Sequence, residues 1–221
     1  TDYSLDLLVK NLDPDKKIFV GYNLRFLDII QHLRKIIFDL QISNKPFLLR
    51  VINTSHIKKW RDEPITESIS LDPDKGGGAL LELSHDIDLV DYLLKIDNKI
   101  TVIKKIQKPI NINKIESSYN CVGISKSKNP FTIFSSFASH INIKQYILDS
   151  EDISYQADLI KNTLTKYEIG SAVDIRSFND SRDETFYKQI KNIFDNNQND
   201  ILCNFENAIS VQKILLKSSW L

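Results

Sequence analysis

The hydrophobic pattern of this 221-residue chain changes from helical to alternating spacing near residue 95. Residues 26–40 and 79–94 place apolar side chains every three or four positions, which is the spacing of an amphipathic helix. Beyond residue 100 the pattern alternates instead, as it does in half-buried strands. Consecutive segments of this second kind lie at 100–106, 116–124, 130–138, 144–149, 153–159 and 162–169. Such a run predicts a large sheet in which most neighbouring strands are antiparallel.

The other predicted elements place helices around this sheet. Short strands are predicted at 17–22 and 47–52, a polar irregular segment at 53–75, and the end of a helix at 3–12. Two further helices, at about 182–195 and 205–217, close the chain. The predicted fold class is therefore α+β in two layers, with a large, mainly antiparallel mixed sheet and helices packed on one face. Residues 1–221 are predicted to form a single domain.

Helices on one face of a sheet leave the other face open. A second copy of the same protein is a common cover, so we expect a homo-oligomer that forms through the open sheet face. The alternative is a solvated polar face, and the Thr, Ser and Lys residues of 116–128 fit that alternative locally.

Composition narrows the range of partners. Lys plus Arg and Asp plus Glu number 29 each, so the formal net charge is zero and we expect no nucleic-acid partner. No apolar run approaches the roughly 18 residues of a membrane helix, and no signal peptide opens the chain. We therefore expect a cytoplasmic protein without a membrane partner. Cys121 and Cys203 lack the spacing of metal ligands, so no metal site is expected.

The segment GGGALLELSHDID, residues 76–88, carries the candidate chemistry. Its glycines match neither a dinucleotide fingerprint nor a P-loop. They favour tight packing of a helix start near a ligand or another domain, and the alternative is a flexible loop before the helix. On a continuous helix, Glu82 and Asp88 would each lie three positions from His85. A carboxylate beside an imidazole raises its pKa and prepares it for general acid–base chemistry. The same pattern is also common on solvent-exposed helices.

Polar residues also follow two of the predicted strands. Asn23 and Arg25 come after the strand at 17–22, and Trp60 and Arg61 come after the strand at 47–52. Arginine beside an aromatic side chain suits an anionic or planar ligand. A surface ion pair or a helix start is the alternative for each arginine.

Three segments taken in order carry a resemblance to a known family: VGYNLRF (20–26), RVINTSHIKKWRDE (50–63) and GGGALLELSHDIDLVDYLL (76–94). They resemble the second domain of the Gfo/Idh/MocA oxidoreductases, the glucose–fructose oxidoreductase and inositol dehydrogenase family. The resemblance covers essentially the whole chain. It implies a C-terminal substrate-binding and oligomerisation domain, whose N-terminal Rossmann partner domain binds NAD or NADP and is missing from this chain. The lack of methionine likewise suggests a fragment of a longer protein.

The resemblance also implies roles for individual residues. His85 would be the catalytic histidine, and the family's lysine, which lies in a Glu-Lys-Pro motif, would lie upstream of Thr1. The residues implied near the cofactor–substrate cleft are Asn23, Arg25, Trp60, Arg61, Glu82 and Asp88. Many family members carry an aspartate four residues before the histidine. Leu81 stands there in this chain, so Glu82 or Asp86 would have to substitute.

The function implied by the resemblance is that of an NAD(P)-dependent sugar dehydrogenase. The ELSHDID form resembles a subgroup placed in surface-polysaccharide or sugar-nucleotide pathways, so the expected substrate is a sugar or sugar-nucleotide hydroxyl. The fragment alone is expected to be inactive, because it lacks a cofactor site. The alternative is a non-catalytic oligomerisation or binding module that retains the fold.

Overall fold

A nine-stranded sheet forms the frame of the protein. The computed structural model describes residues 16–60, 68–97, 101–107, 115–195 and 200–221, together with Leu7, Lys10, Asn11 and Asp13. Most of the helix predicted at 3–12 lies outside the described residues, as does Arg61.

The strands and α-helices follow one another in this order: β1 (Phe19–Val20), α1 (Asp28–Ile42), β2 (Phe47–His56), α2 (Ala79–Glu82), α3 (His85–Leu94), β3 (Val102–Ile106), β4 (Ser118–Ile124), β5 (Pro130–Ser136), β6 (Ala138–Ser150), β7 (Ile153–Asp158), β8 (Thr163–Glu168), β9 (Ser171–Ser177), α4 (Arg182–Phe194), β10 (Cys203–Asn204), α5 (Phe205–Leu216) and β11 (Ser219–Trp220). Short 3-10 helices occupy Asn23–Phe26, Ile57–Lys59, Ile69–Leu71 and Pro73–Lys75.

The sheet has the order β11-β3-β4-β5-β2-β6-β7-β8-β9. β2 is parallel to β5 and β11 is parallel to β3, whereas the other neighbours are antiparallel. This arrangement confirms the predicted α+β class and its mixed, mainly antiparallel sheet. Because β2 is inserted between β5 and β6, its carboxyl end lies beside the carboxyl end of β5.

Several strands differ from the sequence prediction: β2 extends to His56, and β10 and β11 are additional short strands. β1 pairs with β10 in a separate two-stranded ribbon and does not join the large sheet. β6 is much longer than predicted, because it pairs with β2 along one edge and with β7 along the other. β9 is a further strand that the sequence prediction did not include, and all seven of its residues are exposed.

The core lies between one face of the sheet and the helices. Alternate strand residues such as Leu49, Val51 and Ile133 are buried there, because successive side chains of a strand point to opposite faces. They join the apolar face of α1 and nearly the whole surface of α3 in one cluster. Every residue of α3 from Asp86 to Leu94 is buried, so its acidic side chains need partners inside the protein.

The opposite face of the sheet carries exposed apolar side chains, among them Val102, Val122, Phe134 and Ile175. None of the helices in the described part of the chain is long and apolar enough to cross a membrane.

Candidate functional site

The helix predicted over 79–94 is broken directly before His85. α2 ends at Glu82, and Leu83 and Ser84 form a turn before α3 begins. In this turn the Asp86 amide donates to the Leu83 carbonyl at 3.1 Å. His85 is therefore the first residue of a helix, where the positive end of the helix dipole opposes a positive imidazole.

The glycine run packs closely against a neighbouring segment of backbone in the same chain. Gly77 donates to the Asp72 carbonyl and Gly78 to the Ser70 carbonyl, at 2.8 and 2.9 Å. A Cβ on Gly77 would lie 2.7 Å from the Asp72 amide nitrogen and the Ser70 carbonyl oxygen. The close approach expected from the glycines is thus to backbone of the same chain, and no ligand is needed to explain it.

Glu116 holds the start of α2, a role that no sequence pattern indicated. It is buried, its carbonyl accepts from the Ala79 amide at 3.0 Å, and its carboxylate accepts from the Leu80 amide at 3.1 Å. Gly78 packs on this carboxylate with a positive φ of 116°. These contacts fix where α2 begins, and so the position of the turn that precedes His85.

Asp86 is the centre of a buried polar cluster. Its carboxylate accepts hydrogen bonds from the Asn53 amide and the Ser135 hydroxyl, both at 2.7 Å, and from the Tyr146 hydroxyl at 2.9 Å. Asn53, Ser135 and Tyr146 come from β2, β5 and β6, so the cluster ties α3 to three strands. Burial raises the pKa of Tyr146 well above its ordinary value, and the Asp86 charge adds to the rise, so Tyr146 remains a donor.

His85 lies beside this cluster with one ring nitrogen unused. Its Nδ1 is buried and has no hydrogen-bond partner among the described residues. The Tyr22 ring meets the imidazole edge to face, with the ring centroids 5.2 Å apart. A buried polar atom without a partner costs free energy, so the hydrogen-bonding capacity of Nδ1 is the one that this cluster leaves unused within the described residues.

The surroundings of His85 oppose a positive charge on it. The pKa of His85 is lowered from its ordinary value to about 4, and burial is the main cause. The positive charges of Lys144 and Arg182 lower the pKa as well, whereas the negative charge of Asp86 raises it. The imidazole is therefore neutral at physiological pH. The predicted effect of a carboxylate, a raised pKa, is the reverse of what the structure has.

Arg25 and Asp88 form an internal ion pair. Nε and Nη2 of Arg25 donate to the two carboxylate oxygens of Asp88 at 3.0 and 2.5 Å, and both side chains are 1% exposed. Burial raises the pKa of Asp88 to about 6 and the contact with Arg25 limits the rise, so the carboxylate is ionised at neutral pH. The pair links the 3-10 segment Asn23–Phe26 to α3 and does not line an open cleft. Asp88 is thus the partner of Arg25 and not of His85.

The remaining predicted cleft residues lie in different surroundings. Asn23 is buried, and its amide donates to the Thr185 hydroxyl of α4 at 2.7 Å. Trp60 packs edge to face on Phe137 and donates from its indole nitrogen to the Ser55 hydroxyl at 2.9 Å. Glu82 is half-buried, and no hydrogen bond or ion pair of its carboxylate is found within the described ranges.

The structure adds residues that the sequence prediction did not name: Tyr22, Asn53, Ser135, Lys144 and Tyr146. Tyr22 and Asn53 lie in the segments 20–26 and 50–63 that carry the family resemblance, but nothing in those segments distinguishes them, and the other three residues lie outside the quoted motifs. In the described residues no group of three or more His, Cys, Asp or Glu side chains could hold a metal ion. Cys121 and Cys203 are free and buried, and burial raises the pKa of each thiol to about 12.

Comparisons with known proteins identify the fold. No family model matches the sequence, and no curated protein matches it. The structural neighbours are Gfo/Idh/MocA-type NAD-binding oxidoreductases, which confirms the resemblance at the level of the fold. UDP-N-acetylglucosamine 3-dehydrogenase GnnA from Acidithiobacillus ferrooxidans superposes with a TM-score of 0.70 at 14% identity, over 98% of this chain and 64% of that chain.

Two further neighbours widen the comparison. A levoglucosan dehydrogenase in complex with NADH and levoglucosan has a TM-score of 0.67 at 13% identity, over 90% of this chain and 63% of that chain. A super-repressor mutant of Gal80p from Saccharomyces cerevisiae has a TM-score of 0.69 at 9% identity, over 90% of this chain and 57% of that chain. The chain thus spans less than two thirds of the length of these neighbours.

Proposed function

We propose that the chain is the C-terminal substrate-binding and oligomerisation domain of an NAD(P)-dependent oxidoreductase. Its substrate is a hydroxyl group of a sugar or sugar nucleotide, in the kind of pathway that builds surface polysaccharides. The observation that carries the proposal is the buried, unpartnered Nδ1 of His85 beside the polar cluster of Asp86. The fold is shared with a UDP-N-acetylglucosamine 3-dehydrogenase and a levoglucosan dehydrogenase, which supports this reading.

The cofactor in this proposal is NAD or NADP, held mainly by a Rossmann domain that would precede Thr1. The described residues fit a contribution to the substrate side of the site, since the unused Nδ1 of His85 is an acceptor for a hydroxyl group. The glycine run does not fit a role in holding phosphates, because Gly77 and Gly78 donate their backbone amides to carbonyls of the same chain. The bound nicotinamide would supply the hydride acceptor or donor.

His85 would handle the proton of the substrate hydroxyl. The neutral imidazole accepts a hydrogen bond from the hydroxyl at Nδ1 and takes up its proton as the hydroxyl carbon is oxidised. With a pKa of about 4, against 6.5 for an ordinary imidazole, this transfer is less favourable by about 3 kcal/mol. A bound group that neutralises the nearby positive charges would recover part of this difference.

The test uses the full-length protein with NAD⁺ or NADP⁺ and two probes, UDP-N-acetylglucosamine and levoglucosan. The substitution His85→Asn removes the proton acceptor and should lower kcat at least about 100-fold, the usual range for a general base, with little change in cofactor affinity. His32→Asn on α1 is the matched control and should keep wild-type turnover. Equal kcat values for wild type and His85→Asn would exclude the assigned role.

A second candidate function is a non-catalytic binding module. The specific observations that favour it are the fold shared with Gal80p and the absence of a carboxylate partner for His85 in the described residues. In that case the full-length protein would bind a sugar ligand without oxidising it. Reduced nicotinamide formation, followed at 340 nm in the presence of each probe, separates the two candidates.

The same proposal includes a homo-oligomer that forms through the open face of the sheet. One row across this face runs through Val102, Val122 and Thr132, and an adjacent row pairs Asn120 with Phe134 and Phe134 with Ile52. Val102, Val122 and Phe134 are 53%, 56% and 37% exposed. Apolar side chains of this size in register on a flat surface suit an isologous contact with a second copy.

A further inference from the structure

Lys144 lies on the same side of the sheet as the candidate site. It is paired with Asn53 across β2 and β6, and it precedes Tyr146 by two positions on the same strand. Side chains two apart on a strand point to the same face, and those of Asn53 and Tyr146 reach Asp86. The Lys144 side chain therefore projects to the helix side of the sheet, at the end of the polar cluster where α3 begins with His85.

The Lys144 ammonium has no partner of opposite charge among the described residues. The ion pairs found there do not include it, and it makes no side-chain hydrogen bond. Lys144 is nevertheless half-buried. A partly exposed ammonium with no protein anion beside it is solvated when the site is free, and it is available to pair with an anionic group of a ligand.

The Asp86 carboxylate, at the centre of the cluster, already accepts three hydrogen bonds from neutral donors. Asp86 accepts from an amide, an aliphatic hydroxyl and a phenol, so it needs no ammonium donor. Lys144 acts on His85 instead, where its charge is the largest electrostatic contribution that keeps the imidazole neutral. A positive charge without a partner thus lies beside the imidazole that we assign to the substrate hydroxyl.

We propose that Lys144 binds an anionic group of the substrate, a phosphate or a carboxylate, while a hydroxyl of the same molecule meets His85. The inference rests on the proposed function and names the substrate class of that site: an anionic sugar in preference to a neutral one. Binding of the anion also neutralises Lys144, which makes His85 a stronger base in the complex than in the free protein. The substrate would in this way help to prepare its own proton acceptor.

The experiment compares three probes with the full-length protein: UDP-N-acetylglucosamine, which carries phosphates; glucuronate, which carries a carboxylate; and levoglucosan, which is neutral. The variants are Lys144→Gln, Lys144→Arg and the control Lys126→Gln, which alters an exposed lysine in the β4–β5 turn at the other end of the sheet. Steady-state kinetics gives kcat and KM, and calorimetric titration gives the binding constant of each probe without any need for turnover. Circular dichroism verifies that each variant is folded.

The expected result is that Lys144→Gln weakens binding of an anionic probe at least about tenfold, as for the loss of one hydrogen bond to a charged group. Lys144→Arg should retain most of the affinity, and Lys126→Gln should behave as wild type. The acid limb of kcat/KM should move to higher pH in Lys144→Gln, because the free protein loses the charge that lowers the pKa of His85. An effect confined to UDP-N-acetylglucosamine identifies a phosphate, and one confined to glucuronate identifies a carboxylate.

Two results would overturn the inference: unchanged binding of both anionic probes in Lys144→Gln, or tighter binding of levoglucosan than of either anionic probe by wild type. Either result leaves the proposed function in place if His85→Asn still abolishes turnover. Absence of turnover with every probe, combined with a Lys144-dependent binding constant, would reject the proposed function and retain the anion site.

Discussion

Within the described part of the chain, His85 has one ring nitrogen without a hydrogen-bond partner, and its surroundings oppose protonation. At the first position of α3 it meets the positive end of the helix dipole, the charge of Lys144 and the apolar contact with Tyr22. The negative charge of Asp86 acts in the opposite sense, but its oxygens are directed to Asn53, Ser135 and Tyr146. The imidazole is therefore neutral at physiological pH, which is the form that the proposed proton transfer requires.

Because the pKa of His85 is lowered in the folded state, the free energy of unfolding should depend on pH. The unfolded chain takes up a proton on His85 near pH 6.5, whereas the folded chain does so only near pH 4. As the pH falls through this window, the folded state of the wild type should lose up to about 1.4 kcal/mol per pH unit relative to His85→Asn. Urea denaturation of both proteins between pH 8 and pH 4 measures the difference.

Above pH 7 the difference in unfolding free energy between the two proteins should be constant, and this range is the internal control. A difference in unfolding free energy that stays constant down to pH 4 would mean that the pKa of His85 is the same in the folded and in the unfolded chain.

Among the elements, the connection from Ser68 to α3 does most to position the histidine. The 3-10 turns at Ile69–Leu71 and Pro73–Lys75 fold the chain back, and the glycine run then passes between the Ser70–Asp72 backbone and Glu116. The short helix α2 follows, and its end sets the turn at Leu83 and Ser84. Each step relies on main-chain contacts that a side chain on the glycines would disturb.

The substitution Gly77→Ala tests this arrangement. Its Cβ would lie within 2.8 Å of backbone atoms of Ser70 and Asp72, which cannot move as a flexible side chain can. We expect a loss of about 1–3 kcal/mol of unfolding free energy, the usual cost of overpacking, measured by urea denaturation.

Gly21→Ala is the matched control, since a Cβ at Gly21 meets no atom within 4 Å. Its effect should stay within about 0.5 kcal/mol, as for most surface substitutions. Equal stability of Gly77→Ala and Gly21→Ala would show that the 70–78 connection is not packed as described.

At the scale of the whole molecule, the sheet divides the protein into two unlike sides. The helix side holds the core and the candidate site, and the other side is a broad face with apolar side chains in register. An oligomer built through that face would leave the site on the helix side of each copy accessible to substrate.

A charge in the middle of the open face should therefore weaken the oligomer. Phe134→Asp places a carboxylate on β5 between Asn120 and Ile52, and should raise the dissociation constant at least about tenfold, since burying an unpaired charge costs more than 1.4 kcal/mol. Sedimentation equilibrium of the full-length protein measures this constant.

Phe38→Asp on α1 is the corresponding control, because Phe38 is 58% exposed on a helix and lies outside the sheet. It should leave the assembly unchanged. A wild-type protein that sediments as a monomer at all concentrations would contradict the role of the open face.

Hydrophobic patterns along the chain were enough to predict the fold class and most of its elements. The periodicity of residues 26–40 and the alternation beyond residue 100 predicted α1 and the strands β3 to β8, because both patterns arise from burial of one face. The sequence also indicated His85 as the candidate residue. The motif order around 20–26, 50–63 and 76–94 indicated the fold that the structural neighbours confirm.

The contacts between distant residues became known from the three-dimensional structure. The apolar repeat of Leu80, Leu83 and Ile87 continues across the turn before His85, so the break in the helix leaves no trace in the pattern. The pairing of β2 with β5 and β6 brings Asn53, Ser135 and Tyr146 to Asp86, and places Lys144 beside them. Local spacing predicted Glu82 and Asp88 as partners of His85, whereas Asp88 pairs with Arg25 and the Glu82 carboxylate makes no hydrogen bond or ion pair within the described ranges. Contacts between residues distant in sequence depend on how layers pack, and no local period encodes that packing.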